Sequence, residues 1–242
     1  MLRKEHRLEK ELRLEKAYMS DILRIAIDGP GGAGKSTVAK AVAKKLGIDY
    51  IDTGAMYRAI AYKFISLGIT VDGENDEQFQ ALINKILAST EVDYSKGITR
   101  LDGIDVSSKI RTAEISSAAS SFSAFPSVRK KLVSLQQKMA REKSLVMDGR
   151  DIGSNVIKDA ELKIFLTASP EERARRRYEE LCEKGDMASY AAVLCDMQAR
   201  DKNDMSRQLN PLVKAEDAFE LDSSNMSVDE VVNLICERAK QL

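Results

Sequence analysis

Gly29-Pro30-Gly31-Gly32-Ala33-Gly34-Lys35-Ser36 lies between a β-forming run, Arg24-Ile25-Ala26-Ile27-Asp28, and a helical pattern from Val38 to Leu46. The spacing is G-x-x-x-x-G-K-[ST], and the strand before it and helix after it supply the context that gives the motif its meaning. Residues without side chains let the backbone curl until successive N–H groups point inward. The following helix adds its positive end, and Lys35 brings a full charge to the outer phosphates of a nucleotide. The hydroxyl of Ser36 suits Mg²⁺. An ordinary glycine-rich turn would need neither the flanking strand nor the Ser36-Thr37 pair. Gly29 to Thr37 are therefore expected to hold ATP or another nucleoside triphosphate, with Mg²⁺ as its companion.

Working outward, Asp49-Tyr50-Ile51-Asp52 predicts a second strand, and Thr53-Gly54 opens a helix running to about Leu67. Residues 145–148, 163–167 and 219–221 predict three more strands, the last two followed by helical signals. Strand and helix alternate, which predicts an α/β chain with a five-stranded parallel sheet flanked by helices. Two departures interrupt the alternation. From Glu91 to Val106, short β-forming runs joined at Ser95-Lys96-Gly97 and Asp102-Gly103 predict a small antiparallel insert, followed by helices over 112–124 and 127–143 separated at Phe125-Pro126. From Ser169-Pro170-Glu171-Glu172, a cap with proline in the first turn opens a strongly charged stretch that reads as two helices broken near Gly185. The expected organisation is a charged extension over 1–20, helical or disordered, then one domain over 21–242 with an insert at about 68–143 and a lid at about 170–208.

Bulk properties exclude several classes of function. The 242 residues suffice for a full core, and 38 basic against 38 acidic side chains leave no global field to attract nucleic acid or an anionic membrane. Cys182, Cys195 and Cys236 are odd in number and far apart, which argues against a disulfide framework or a zinc site and fits a reducing cytoplasm. No apolar stretch approaches the length of a membrane span. Residues 1–20 carry ten charges in the first seventeen positions and are given no part in the chemistry.

In a doubly wound sheet ligands collect at the carboxyl ends of the strands. There the sequence places Asp52-Thr53-Gly54 with Tyr57 and Arg58 one turn later, and Asp148-Gly149-Arg150-Asp151. Arginine suits phosphate because its planar fork binds two oxygens and keeps its proton. Arg173, Arg175, Arg176, Arg177, Arg200 and Arg207 mark the charged helical pair as a candidate lid. At about 100° per residue, four near-consecutive arginines cannot all face one site. The single histidine, His6, falls in the N-terminal extension, so the domain offers no imidazole base. An alcohol acceptor would need a base, whereas a phosphate monoester, with a second pKa of about 6, already carries nucleophilic oxygens. Asn84-Lys85-Ile86-Leu87 lacks the aspartate of a guanine-reading N-K-x-D. Phosphate-to-phosphate transfer is the chemistry the residues favour.

From Ile27 onward the chain also resembles the bacterial cytidylate kinases of the nucleoside monophosphate kinase group. The resemblance rests on I-D-G-P-x-G-A-G-K-S-T at 27–37, D-T-G-A-M-Y-R at 52–58, I-R-T at 110–112, D-G-R-D-I-G at 148–153, K-I-F-L at 163–166 and R-D-x-x-D-x-x-R at 200–207. It implies the P-loop NTPase fold, a CMP-binding insert with short antiparallel strands, a helical lid, and transfer of the γ-phosphoryl of ATP to CMP or dCMP with Mg²⁺. By the same resemblance Arg58 and Arg150 grip the CMP phosphate and Ser120, Arg129 and Arg207 contact cytosine. Arg200 and Asp204 face the pentose, and Thr53, Tyr57 and Asp151 line the acceptor site. Thr53 stands where some members carry serine, which keeps the hydroxyl. Arg173 and Arg176 match basic lid positions, which with Lys35 and Arg150 make the expected catalytic set, while Arg175 stands at a less strictly kept place. A monomer is implied, with no nucleic-acid or membrane partner. The competing readings are a kinase for another monophosphate or a small metabolite, such as a shikimate-type kinase, and an ATP-binding module without transfer activity.

Overall fold

A computed structural model describes residues 22–71, 76–183, 185 and 187–242; the expected charged extension over 1–20 lies outside them. β1 (Arg24–Asp28) is buried at every position, as a central parallel strand must be when helices cover both faces. Successive side chains point to opposite sides of the sheet. Ile25 and Ile27 join one core with Val146, Ile164 and Leu166, while Ala26 joins the other with Ile51, Leu145 and Met147. The strand is flanked by β6 (Leu145–Gly149) and β7 (Leu162–Thr167), and β2 (Asp49–Asp52) and β8 (Phe219–Asp222) form the edges. The order is β2-β6-β1-β7-β8 with every pair parallel. This confirms the expected five-stranded sheet.

α1 (Lys35–Leu46) and α8 (Val228–Ala239) cover the face that carries Ile25 and Ile27. Each helix is terminated by the local chemistry that its ends predict. Gly47 adopts φ 69° after α1, a left-handed C-terminal stop suited to glycine. Ser227 and Glu230 form a reciprocal capping box at the start of α8. The other face takes α2 (Thr53–Ser66) and the insert: α3 (Glu77–Ala88), strands β3 (Val92–Ser95), β4 (Ile98–Leu101) and β5 (Ile104–Asp105), α4 (Ala113–Phe122) and α5 (Pro126–Glu142). Phe64, Phe122, Phe125 and Phe79 make a continuous aromatic run, with centroid separations of 4.6, 6.0 and 5.8 Å. The two insert turns have paired positive φ, 51° and 80° at Lys96-Gly97 and again at Asp102-Gly103. Such pairs match the twist of a tight antiparallel hairpin.

The stretch expected as a lid forms a hairpin of α6 (Pro170–Glu183) and α7 (Tyr190–Ser206) around a small core of Ala174, Val193 and Met197. Among the described residues no helix is long and apolar enough to cross a membrane. Two short elements escaped the sequence pattern: a 3₁₀ turn at Lys109–Arg111 and a π-helical turn at Ile152–Val156.

The join between β1 and the loop that follows admits only glycine. Gly29 has φ 147°, and a Cβ there would lie 1.9 Å from the backbone oxygen of Leu166 in β7. Gly29→Ala must push apart two central strands. A cost above about 4 kcal/mol is expected, because strain and overpacking combine. At about 2–4 °C per kcal/mol for a chain of this size, thermal unfolding should show the midpoint falling by roughly 8 °C or more.

Candidate functional site

Because β1, β2 and β6 run parallel, their carboxyl ends open onto one crevice, where the chain places its polar residues. The cavity there has a volume of about 780 Å³ and is lined by the phosphate loop, the ends of β2 and β6, the insert helices and the lid.

The loop from Gly29 to Gly34 feeds α1 through Gly34, which has φ 82°. Gly32, with φ 74°, leaves room for Met197 of the lid; a Cβ there would sit 2.6 Å from the Met197 methyl. The Lys35 ammonium is buried and donates to the loop's own Pro30 carbonyl at 2.6 Å. Burial holds its pKa below the ordinary lysine value, and the neighbouring Arg150 charge adds to this; Asp148, Asp28 and Asp204 pull the other way. An anionic phosphate at the loop favours the charged form by the same electrostatics.

Ser36 donates its hydroxyl to Asp148 at 2.8 Å, and Tyr50 donates to the other oxygen of the same carboxylate at 2.8 Å. Asp148 stands at the end of β6, across from Ile27 in the parallel ladder. Burial, reinforced by Asp52, holds its carboxyl above the usual range. Among the described residues no three His, Cys, Asp or Glu side chains gather as a metal cage. A serine hydroxyl beside a carboxylate instead offers one or two hard oxygens. That set fits Mg²⁺, which keeps waters and takes its remaining ligands from substrate phosphates.

On the side of the cleft next to the insert, Asp52 accepts from the Ala55 amide at 2.8 Å, capping α2, and also holds Arg58 Nη2 at 3.2 Å. Arg111, in the I-R-T stretch, approaches the same carboxylate at 3.8 Å. Thr53 is buried and donates to the Asp148 carbonyl at 2.6 Å. Arg129, on the inner face of α5, forms a buried ion pair with Asp151 and lies over the Tyr57 ring at 5.7 Å. Asn155 of the π-helical turn donates to the same Asp151 oxygen at 3.0 Å. Burial pushes the Tyr57 hydroxyl up to about 12, although Arg129 draws it back. It stays a neutral hydrogen-bonding group at any physiological pH. Ser120 is half-buried in α4 and lines the cleft, as does Gln136 of α5, whose buried Nε2 has no protein partner.

The lid closes the third side. Arg150 donates Nε to Asp204 at 2.8 Å, and Arg207 pairs with the other oxygen of that carboxylate. Arg200 reaches the Ser116 carbonyl of α4 at 3.0 Å, tying lid to insert. Opposing pulls act on Asp204: burial raises its pKa, but Arg150 and Arg207 together hold it below the usual carboxylate range.

The arginines of α6 sort as the helical period requires. Arg175 and Arg177 lie in exposed pairs with Glu172, Glu179 and Glu180. Arg173 is buried, donating to Ala168 O at 2.9 Å, Gly31 O at 3.0 Å and Asp201 at 2.7 Å. Arg176 reaches the Ser223 carbonyl at 2.8 Å and Glu172 at 2.8 Å. Its Nη1 lies 4.0 Å from where a Cβ of Gly34 would stand. Both therefore sit against the phosphate loop, Arg173 bracing its carbonyl and Arg176 flanking its end. On the opposite flank, Arg150 Nη2 lies 3.7 Å from the Cβ position of Gly31.

The cytidylate kinase family model matches residues 25–241. The chain belongs to the cytidylate kinase family. A cytidylate kinase of Desulfitobacterium hafniense is 49% identical over 220 residues, covering 90% of this chain and 92% of that protein. One from Clostridioides difficile is 44% identical over 216 residues, covering 89% and 97% respectively. Among solved structures, an uncharacterized protein from Eubacterium ventriosum superposes with a TM-score of 0.50 at 14% identity, covering 91% of this chain and 99% of that one. At that identity the likeness concerns the fold alone.

Of the candidate site residues named from the sequence, all but Gly29, Pro30 and Arg173 line the cleft, and Arg173 reaches the phosphate loop from behind through Gly31 O. Sequence reasoning assigned roles to Asp151 and Asp204 but none to four other carboxylates of the site. Asp52, Asp148, Glu172 and Asp201 each hold a cation or a hydroxyl of the site. Asp52 and Asp148 stood at predicted strand ends, a signal that was available. Asp201 and Glu172 looked like any acidic residue on a charged helix.

Proposed function

We propose that this protein is an ATP:CMP phosphotransferase that moves the γ-phosphoryl of ATP onto CMP or dCMP, giving ADP and CDP or dCDP. The observation that carries the reading is the approach of Arg150, from the end of β6, to the phosphate loop at the end of β1. A donor cradle and an acceptor-phosphate arginine then share one cleft.

In this reading Gly29 to Thr37 hold the triphosphate. Arg58 and Arg150 take the acceptor phosphate, Ser120, Arg129 and Arg207 read cytosine, and Arg200 and Asp204 meet the pentose. An oxygen of the acceptor phosphate forms the new bond to the γ-phosphorus as the bond to the bridging oxygen breaks, and the bridging oxygen leaves on ADP. No base is required, since the acceptor is already largely dianionic above a second pKa of about 6. Lys35, Arg150 and Arg176 offset the charge on the phosphoryl oxygens. Arg173 braces the loop through Gly31 and joins them when phosphate displaces Asp201. Mg²⁺, held near Ser36 and Asp148, supplies further charge neutralisation when bound. Lid closure over the cleft excludes water, which would compete as acceptor.

Base choice follows from polar matching. A cytosine edge offers one donor and two acceptors to a serine hydroxyl and two arginine forks. A mismatched base leaves buried groups unpaired at about 1–3 kcal/mol each. Arg129→Met should therefore raise the KM for CMP at least tenfold, about 1.4 kcal/mol, while steady-state kinetics show the KM for ATP within twofold of the parent. An unchanged KM for CMP with a raised one for ATP would reverse the assignment of the two sites.

The reading is tested by ADP release with Mg²⁺ and saturating ATP across CMP, dCMP, UMP, AMP, GMP and shikimate. CMP or dCMP should give the highest kcat/KM. Preference for a purine monophosphate or shikimate would favour a different kinase, and binding of ATP with no acceptor-dependent release would favour a regulatory module.

A further inference from the structure

Asp28 is the last residue of β1, one position before the phosphate loop, and beyond its charge near Lys35 has no part in the roles described above. Its carboxylate is buried and accepts two short hydrogen bonds, from the Ile152 amide at 2.7 Å on one oxygen and from the Gly153 amide at 2.7 Å on the other. Those two N–H groups open the π-helical turn Ile152–Val156. Consecutive amides at the start of a helical turn are a ready receptor for an anion. Here the chain fills the receptor itself, so these two amides are not free for a substrate phosphate.

The placement of this bond matters. The β1–β6 ladder already sets Asp28 opposite Gly149, but beyond Gly149 the chain leaves the ladder. Asp28 catches it again at Ile152, and the two residues spanned are Arg150 and Asp151. The turn between is tight: a Cβ on Gly149 would stand 2.6 Å from Ile152 Cδ1 and 2.9 Å from Thr53 Oγ1. Its far side rests on β1, with the Cβ position of Gly153 3.5 Å from Ala26 Cβ. A buried carboxylate is an expensive way to fill that space. Burial pushes its carboxyl up to about 6 even though both amides and Lys35 pull it down. An apolar side chain of similar volume would commonly cost less, so what the carboxylate contributes is geometry.

We propose that Asp28 is a positioning residue for phosphoryl transfer, its carboxylate pinning the loop that carries Arg150 and Asp151 to the root of the phosphate loop and so setting the span between donor and acceptor sites. The proposal rests on reading the cleft as a two-nucleotide site. A register effect differs from a loss of binding or of folding. Each nucleotide alone contacts one side of the pin, whereas a bisubstrate analogue joining adenosine to cytidine through five phosphates must span it.

In Asp28→Asn one acceptor is exchanged for an amide NH₂ that faces an N–H. Calorimetry should show ATP and CMP alone binding within threefold of the parent, while kcat falls at least 30-fold and the Kd of the bisubstrate analogue rises at least 30-fold. A kcat within threefold of the parent, or single nucleotides weakened as much as the analogue, overturns the proposal. Hydrogen exchange on the unmodified protein without nucleotide gives a test that needs neither the variant nor the substrate assignment. The amides of Ile152 and Gly153 should exchange as slowly as those of β1, and free exchange there removes the pin. A parent protein with both amides protected but no affinity for the analogue would count against the two-nucleotide reading and leave the pin standing.

Discussion

Replacing Lys35 by methionine should lower kcat by about 10³-fold or more, because one preorganised cation at a transferring phosphoryl is worth at least that in comparable sites. The side chain keeps its length and its apolar stem, so the glycine-shaped loop has no reason to rearrange. The ammonium donates to Pro30 O within its own loop, and no strand or helix of the core depends on that bond. A burial-disfavoured charge is removed, and the unfolding midpoint should stay within about 5 °C of the parent, inside the range of ordinary substitutions. The residues proposed to hold CMP come from α2, α4, α5, the end of β6 and α7 rather than from the phosphate loop, so the Kd for CMP measured without ATP should stay within threefold. Stopped-time product assays with Mg²⁺ and saturating nucleotides give kcat directly. A variant retaining more than a tenth of the parental kcat would mean that the loop amides and the arginines already carry the phosphoryl charge, and Lys35 would lose its role.

How much of this was legible in the sequence depends on whether the signal was local. The phosphate loop, the parallel strands and both insert turns were, because each rests on residues adjacent in the chain: Gly34 at φ 82°, the uninterrupted apolar run of β1, and Lys96-Gly97 at positive φ. The sorting of the α6 arginines was also legible, since a 100° step cannot bring positions 173, 175, 176 and 177 to one face. Strand order was not. Whether β6 lies beside β1 is decided by crossover packing, and only that adjacency brings Asp148 onto Ser36 and Asp28 onto the 152–153 amides. The π-helical turn was hidden for the same reason, as it is held by a side chain more than 120 residues away. Nor could the pattern say that Arg173 would face Asp201 while Arg176 faced Ser223, because those partners come from different elements.

The carboxylates explain how so many cations tolerate one cleft. Arg58 rests on Asp52, Arg129 on Asp151, Arg150 and Arg207 on Asp204, Arg173 on Asp201 and Arg176 on Glu172. The crowding is visible in its effects: after burial, the Arg150 charge is the next influence depressing the pKa of Lys35 and of Arg200. In the proposed function, substrate phosphates would enter by exchange, each taking over a guanidinium that a carboxylate holds. Specific binding then depends on placing phosphate where two forks converge, since a lone phosphate at one arginine gains little over the carboxylate it displaces.

Arg150 is where that exchange should matter most, since it comes from the end of β6, outside the α6–α7 pair, yet holds Asp204 of that pair and lies beside the phosphate loop. Arg150→Met should reduce kcat by about 10³-fold, the lower end of what a transition-state arginine contributes, and raise the KM for CMP tenfold or more. ATP binding measured alone should move less than threefold, because the loop amides and Lys35 are untouched. Asp204 keeps Arg207 as a partner, so the lid loses one of its two ion pairs there and the fold should persist. Arg150→Lys separates charge from geometry: an ammonium restores the charge, but lacks the fork that could hold Asp204 through Nε while presenting Nη2 to phosphate. It should recover no more than about tenfold of the loss, a single factor of roughly 1.4 kcal/mol. Full recovery by lysine would show that a point charge suffices, and the bidentate role argued for this residue would fall.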